Sequence, residues 1–84
     1  MHDIHAANQM LKTALEYAEK NNCKKINSMT IELGKVVEHD ELILPENLKY
    51  NIKLISKNTI AEDCEIIVNS KDNNELKLVE INGE

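Results

Sequence analysis

The first five residues, Met1-His2-Asp3-Ile4-His5, set two imidazoles and a carboxylate beside the amino terminus. A free α-amine on Met1, the backbone amide nitrogen of His2 and its imidazole Nδ1 can close fused five- and six-membered chelate rings around one metal ion. A fourth nitrogen, from the Asp3 amide or another histidine, completes a square-planar field. Ni(II) and Cu(II) favour that tetragonal, nitrogen-rich geometry, whereas Zn(II) prefers a tetrahedron. The metal displaces amide protons, so binding strengthens as pH rises. A bulky second residue also blocks methionine aminopeptidase, so His2 is expected to keep Met1, and hence the amine, in place. Taken alone, an amino-terminal Met-His pair is a weak motif, and most such histidines are solvated spectators.

The other donors are less well placed. His5 has three readings: a replacement cap for the first helix, a solvent-facing residue, or an auxiliary axial ligand. His39 lies in the acidic run Val37-Glu38-His39-Asp40-Glu41 and reads as part of a solvated charged turn before it reads as an auxiliary ligand. Asp3, Glu38, Asp40 and Glu41 can still raise the local cation concentration. Cys23 and Cys64 form no C-x-x-C pair, and two thiols do not furnish the usual cysteine-rich zinc site. Both read as small buried hydrophobes without a disulfide. No nucleophile elbow, glycine-rich phosphate loop or Cys/His pairing is present, so the chain does not read as an enzyme.

Composition removes further classes. A net charge of −5 repels phosphate, and with only Tyr17 and Tyr50 as aromatics there is no basic stripe interleaved with stacking rings. A nucleic-acid partner is therefore not expected. No apolar run approaches the roughly 18 residues of a membrane span, and no signal-peptide core follows Met1, so a cytoplasmic protein with no membrane partner is expected. The 84 residues contain no repeat, no low-complexity tract and no Pro/Gly-rich linker, which makes one small domain.

The elements that must position the amino terminus follow from periodicity. A short strand is expected over residues 2–4, then a helix over 6–21, in which Ala7, Met10, Leu11, Ala14, Leu15 and Ala18 recur three and four apart. Asn21-Asn22 marks its end. Residues 28–33 alternate as a half-buried strand, with Met29, Ile31 and Leu33 on one face, closed by Gly34. Pro45 opens a second helix that turns Leu48, Ile52 and Ile55 inward and stops near Asn58. Cys64, Ile66 and Val68 share one face of a further strand. In the last strand, 75–81, the apolar phase slips between Leu78 and Val79, the mark of a bulge or of a strand covered on both faces. The order β-α-β-α-β-β gives an α+β fold with two helices packed on one face of a small mixed sheet.

The order of elements and several local words together resemble the HypA/HybF nickel metallochaperones, which mature [NiFe]-hydrogenases. MHDIHAANQML resembles the M-H-E-x-S-x-A start of that family, and INSMTIELG its first long strand with a closing glycine. LPENLKYNIKLISKNTIAEDCEIIV is similar to its P-E-x-L-x-F helix, its G-T-x-A-E-G-A turn and the strand behind, and ELKLVEINGE to its final strand. The resemblance spans nearly the whole chain. It implies that Met1, His2 and Asp3 supply nickel ligands, with His2 decisive. It also implies that Ni(II) is a transient cargo, passed to a hydrogenase large subunit or a HypB-type GTPase. A metal-free protein-interaction module on the same scaffold is the alternative.

Three departures accompany the resemblance. Asp3 stands where the family has Glu, and His5 where it has a Ser suited to capping the helix. Where the family inserts a zinc domain with two C-x-x-C pairs, this chain has only a short turn near residues 69–74, so residues 1–84 read as a single nickel-binding domain. Residues 65–68 and 76–81 are expected to pair as an antiparallel hairpin through 71–74. An edge strand exposed by the missing insert could pair with another chain, which admits a homodimer. Without the four cysteines no structural zinc is expected; elemental analysis of the purified chain should find far less than one zinc per molecule, and a stoichiometric, tightly held zinc would overturn this.

Overall fold

The computed structural model describes residues 4–38 and 40–84. Apolar residues three and four apart wind the first described residues into α1 (Ile4–Lys20), which buries Ala6, Ala7, Met10, Leu11, Ala14 and Ala18. Four of those six are alanines, which let the helix lie close to what it covers. Ile4 already belongs to α1, so the expected leading strand does not reach it; His2 and Asp3 lie outside the described residues. The helix ends as the paired asparagines require. Asn22 is left-handed (φ 58), Cys23 N–H donates to the Ala18 carbonyl (2.8 Å) and Asn22 N–H to that of Glu19 (3.2 Å). This is a Schellman closure with asparagine in the usual glycine position.

The chain then forms β1 (Ile26–Leu33), the two-residue strands β2 (Val37–Glu38) and β3 (Glu41–Leu42), α2 (Pro45–Ile55), β4 (Glu65–Ser70) and β5 (Leu76–Gly83). β2 and β3 pair antiparallel in a minimal hairpin, Val37 opposite Leu42, with Asp40 left-handed (φ 65). Pro45 opens α2 at a position where its missing N–H costs nothing. Leu48 and Ile52 are buried and Ile55 is partly so. Between α2 and β4 the turn is held by Thr59. Its hydroxyl donates to the Ser56 carbonyl (2.6 Å) and accepts the Ala61 amide (3.1 Å), while the Glu62 carboxylate accepts the Asn58 N–H (3.3 Å). Asn58 (φ 67) and Asp63 (φ 64) stand where the G-T-x-A-E-G-A motif has its glycines, and both are left-handed. Asn and Asp are the non-glycine residues that tolerate this conformation best.

The three long strands form a mixed sheet in the order β4-β1-β5, β4 parallel and β5 antiparallel to β1. Met29, Ile31 and Leu33 of β1, Ile66 of β4 and Leu78 of β5 share the face covered by both helices. The α+β class and the two-helix layer thus stand as the alternation predicts. The slip at Leu78-Val79 is a bulge: Ile31 pairs with Leu78 and Thr30 with Glu80, leaving Val79 as the extra residue.

The expected hairpin between residues 65–68 and 76–81 is not formed, because β1 lies between β4 and β5. The central position hides the most deeply buried strand on both edges and beneath both helices: Ile26, Met29 and Ile31 are fully buried. The five residues 71–75 must therefore cross two strand spacings, about 9.6 Å, well within the reach of five residues. They pass over the end of β1 and bond to it. Lys71 N–H donates to the Leu33 carbonyl (2.9 Å), Gly34 N–H to Glu75 (2.8 Å) and Lys35 N–H to Asn73 (2.6 Å). Asn73 Oδ1 accepts the Glu75 N–H (3.0 Å), which tightens the crossing.

Gly34 sits directly under this crossing. A Cβ there would overlap the Asn73 carbonyl and side-chain oxygen, so the glycine is required by space and not by φ. Gly34→Ala is expected to lower stability by about 1–3 kcal/mol, the usual cost of overpacking. Urea unfolding measures it, and a variant within about 0.5 kcal/mol of the native chain would show that the crossing is looser than described.

Candidate metal centre

Residues 21–25 join α1 to β1, so the two run antiparallel and the first turn of α1 lies towards the carboxyl end of β1. At that end β1, β3, α2 and β4 converge on a shallow apolar pit lined in part by Leu33, Ile43, Leu44 and Pro45. The hairpin beside it exposes Val37 and Leu42.

Of the sequence-derived ligands, Met1, His2, Asp3 and His39 lie outside the described residues. His5 is exposed in the first turn of α1, beside Asn8, Gln9 and Lys12 on a polar strip of the helix surface. Among the described residues no group of three or more His, Cys, Asp or Glu side chains comes together as a metal site.

The cysteines behave as expected of small hydrophobes. Both are free; Cys64 is buried in the core and Cys23 is half-buried against it. Burial raises the Cys64 thiol above its usual 9.0, and the nearby Asp63 carboxylate raises it further, while a backbone hydrogen bond and the Lys53 ammonium act in the opposite sense. One buried polar atom escaped the sequence reading: Asn51 Oδ1 in α2, beside the core residues Leu48 and Ile52, has no hydrogen-bond partner among the described residues. The helical period alone does not separate it from an apolar position.

The raised Cys64 thiol has a sign that can be checked. A group whose folded value exceeds its unfolded value favours the fold below the unfolded value and loses that contribution as pH rises through the folded one. Stability should therefore fall as pH rises above 9.0, and Cys64→Ala should flatten that limb. At pH 8 a thiol reagent should modify Cys23 at least about tenfold faster than Cys64. Equal rates would contradict the burial of Cys64.

No family model matches the chain. It is 31% identical over 68 residues to a protein of Methanocella arvoryzae named hydrogenase maturation factor HypA, an alignment covering 81% of this chain and 57% of that one. A protein of the same name from Legionella pneumophila is 29% identical over 84 residues, 100% of this chain and 62% of its own length. The chain thus spans little more than half the length of these curated relatives. Among solved structures, the solution structure of the Ni metallochaperone HypA from Helicobacter pylori superposes with a TM-score of 0.80, over 99% of this chain and 97% of that one. At 12% identity, that likeness is one of fold. No described helix is long and apolar enough to cross a membrane.

Proposed function

Because this chain belongs, over the length it shares with them, to the HypA family of hydrogenase maturation factors, we propose that it is a nickel metallochaperone whose cargo site is the amino terminus. The observation that carries this reading is the 31% identity to a HypA protein across four-fifths of the chain, together with a histidine at the second position. Met1 contributes its amine, His2 its amide nitrogen and imidazole, and Asp3 a further amide nitrogen. His5, exposed in the first turn of α1, is an auxiliary donor, and His39 a second one. Such a site has few ligands, and an acceptor can displace them one at a time, which suits transfer better than storage. The acceptor is a hydrogenase large subunit or a HypB-type GTPase in the cytoplasm. The chain itself catalyses nothing; its relatives are named maturation factors and a metallochaperone.

The crossing at residues 71–75 stands where the resembling family carries its zinc insert, so this chain handles nickel without a zinc domain. The described residues support this, since the crossing is bonded to β1 along its length.

Titration of the chain, with an unblocked Met1, by Ni(II) in a calorimeter tests the site. His2→Ala removes the six-membered ring and should weaken binding at least about 100-fold, more than loss of a supporting contact around a ligand usually costs. Acetylation of Met1 should do the same with His2 intact. His5→Ala and His39→Ala should each cost less than about tenfold. The unfolding free energy of His2→Ala should stay within about 0.5 kcal/mol of native, which separates loss of the site from loss of the fold. If His2→Ala or the blocked amine binds nickel as tightly as the native chain, the chelate is wrong and the metal-free interaction module takes its place.

A further inference from the structure

The chain carries 15 acidic residues, and none of them lies between Asn47 and Lys57. That stretch holds most of α2 and the turn after it, and it sets Lys49, Lys53 and Lys57 four apart. Lys49 and Lys53 stand about 6 Å apart along the axis of α2. Lys57 joins Lys53 in lining a small cleft whose other walls include Glu62 and Asp63. All three lysines are exposed, and none is in an ion pair among the described residues. The Glu62 carboxylate instead accepts the Asn58 N–H. Like charges one turn apart repel, so the free helix leaves this row uncompensated. Tyr50 and Leu54 each follow a helical lysine, roughly 100° further around the helix, and are 62% and 39% exposed. A basic row thus runs beside an apolar pair on a chain that is acidic elsewhere.

We propose that the exposed face of α2 docks an acidic amphipathic helix of a partner protein. Carboxylates four apart on such a helix repeat the rise between Lys49 and Lys53, so both pairs form at once when the two helices lie side by side. An apolar seam next to those carboxylates meets Tyr50 and Leu54 and takes their surface out of water. Tyr50 is the large ring of the face, the kind of side chain that anchors small interfaces. Opposite charge fixes the orientation of the partner and speeds its encounter with a surface that the acidic remainder of the chain leaves distinct. Nucleic acid fits less well, because the net charge of −5 repels a phosphate backbone that extends past one short row of lysines. The inference uses no metal donor and is independent of the nickel reading.

Two synthetic helical peptides test it by chemical-shift titration of the whole chain at physiological salt. One carries glutamate at every fourth position with leucine at the next, and the other has lysine in place of each glutamate. The native chain should bind the acidic peptide in the micromolar to millimolar range, with the largest shifts at residues 47–57, and should not bind the basic one. Lys49→Glu combined with Lys53→Glu should weaken the acidic peptide at least about tenfold and should gain binding of the basic peptide. Lys12→Glu combined with Lys77→Glu makes the same change of net charge on other surfaces and should shift binding less than about twofold. Tyr50→Ala should weaken it about threefold or more. Circular dichroism of each variant verifies the fold. A native chain that leaves the acidic peptide free at millimolar concentration would overturn the proposal. Equal binding of the two peptides, or loss of binding in the Lys12 and Lys77 variant alone, would overturn it as well. A DNA duplex or phosphatidylserine vesicles that occupy these lysines more tightly than the acidic peptide would also overturn it, and would reassign the face to nucleic acid or to lipid.

Discussion

β1 is hydrogen-bonded along both edges, to β4 in parallel and to β5 in antiparallel, and its inner face lies beneath both helices. No other strand in the sheet has two neighbours, so the positions of β4 and β5 are defined only through it. The parallel pairing demands a crossover, and the segment from Gly34 to Cys64, with α2 inside it, supplies one. The antiparallel pairing demands that the chain return across the end of β1, and residues 71–75 do so. Large-to-small changes at Met29 or Ile31, both fully buried, would loosen all of these at once.

The chain makes its sharp turns with asparagine and aspartate. Asn22, Asp40, Asn58 and Asp63 are the left-handed residues among those described, and each ends or redirects an element. The chain has only two glycines, so a side chain that tolerates positive φ has to serve instead. Gly34 serves a different need: it clears the space through which the crossing passes. The two glycine positions of the family turn are thus met here by conformation and not by identity, and the Thr59 and Glu62 hydrogen bonds keep the turn closed.

α1 packs into the core from its first turn. α1 begins at Ile4 and is buried along its inner face from Ala6 to Ala18, so a metal held by the preceding residues would be presented from a fixed support. At the carboxyl end of β1, Val37 and Leu42 are exposed beside an apolar pit.

The sequence by itself determined the elements and their buried faces, because both depend on residues a few positions apart. The three-and-four spacing from Ala7 to Ala18, the alternation of Met29, Ile31 and Leu33, the stop at Asn21-Asn22 and the phase slip before Val79 are local signals, and each corresponds to an observed feature. The amino-terminal donor set is also a reading of adjacent residues, and Met1, His2 and Asp3 lie outside the described residues. Which strands are neighbours was decided by the tertiary structure. A short connection between two β-rich segments is compatible with a hairpin or with a crossing over a third strand. The choice turned on burying Ile26, Met29 and Ile31 at the centre of the sheet, a condition set by residues some 40 to 50 positions away from the turn itself and invisible within it. The start of α1 at Ile4, the β2–β3 hairpin and the burial of Asn51 had no comparable signal in the sequence around them.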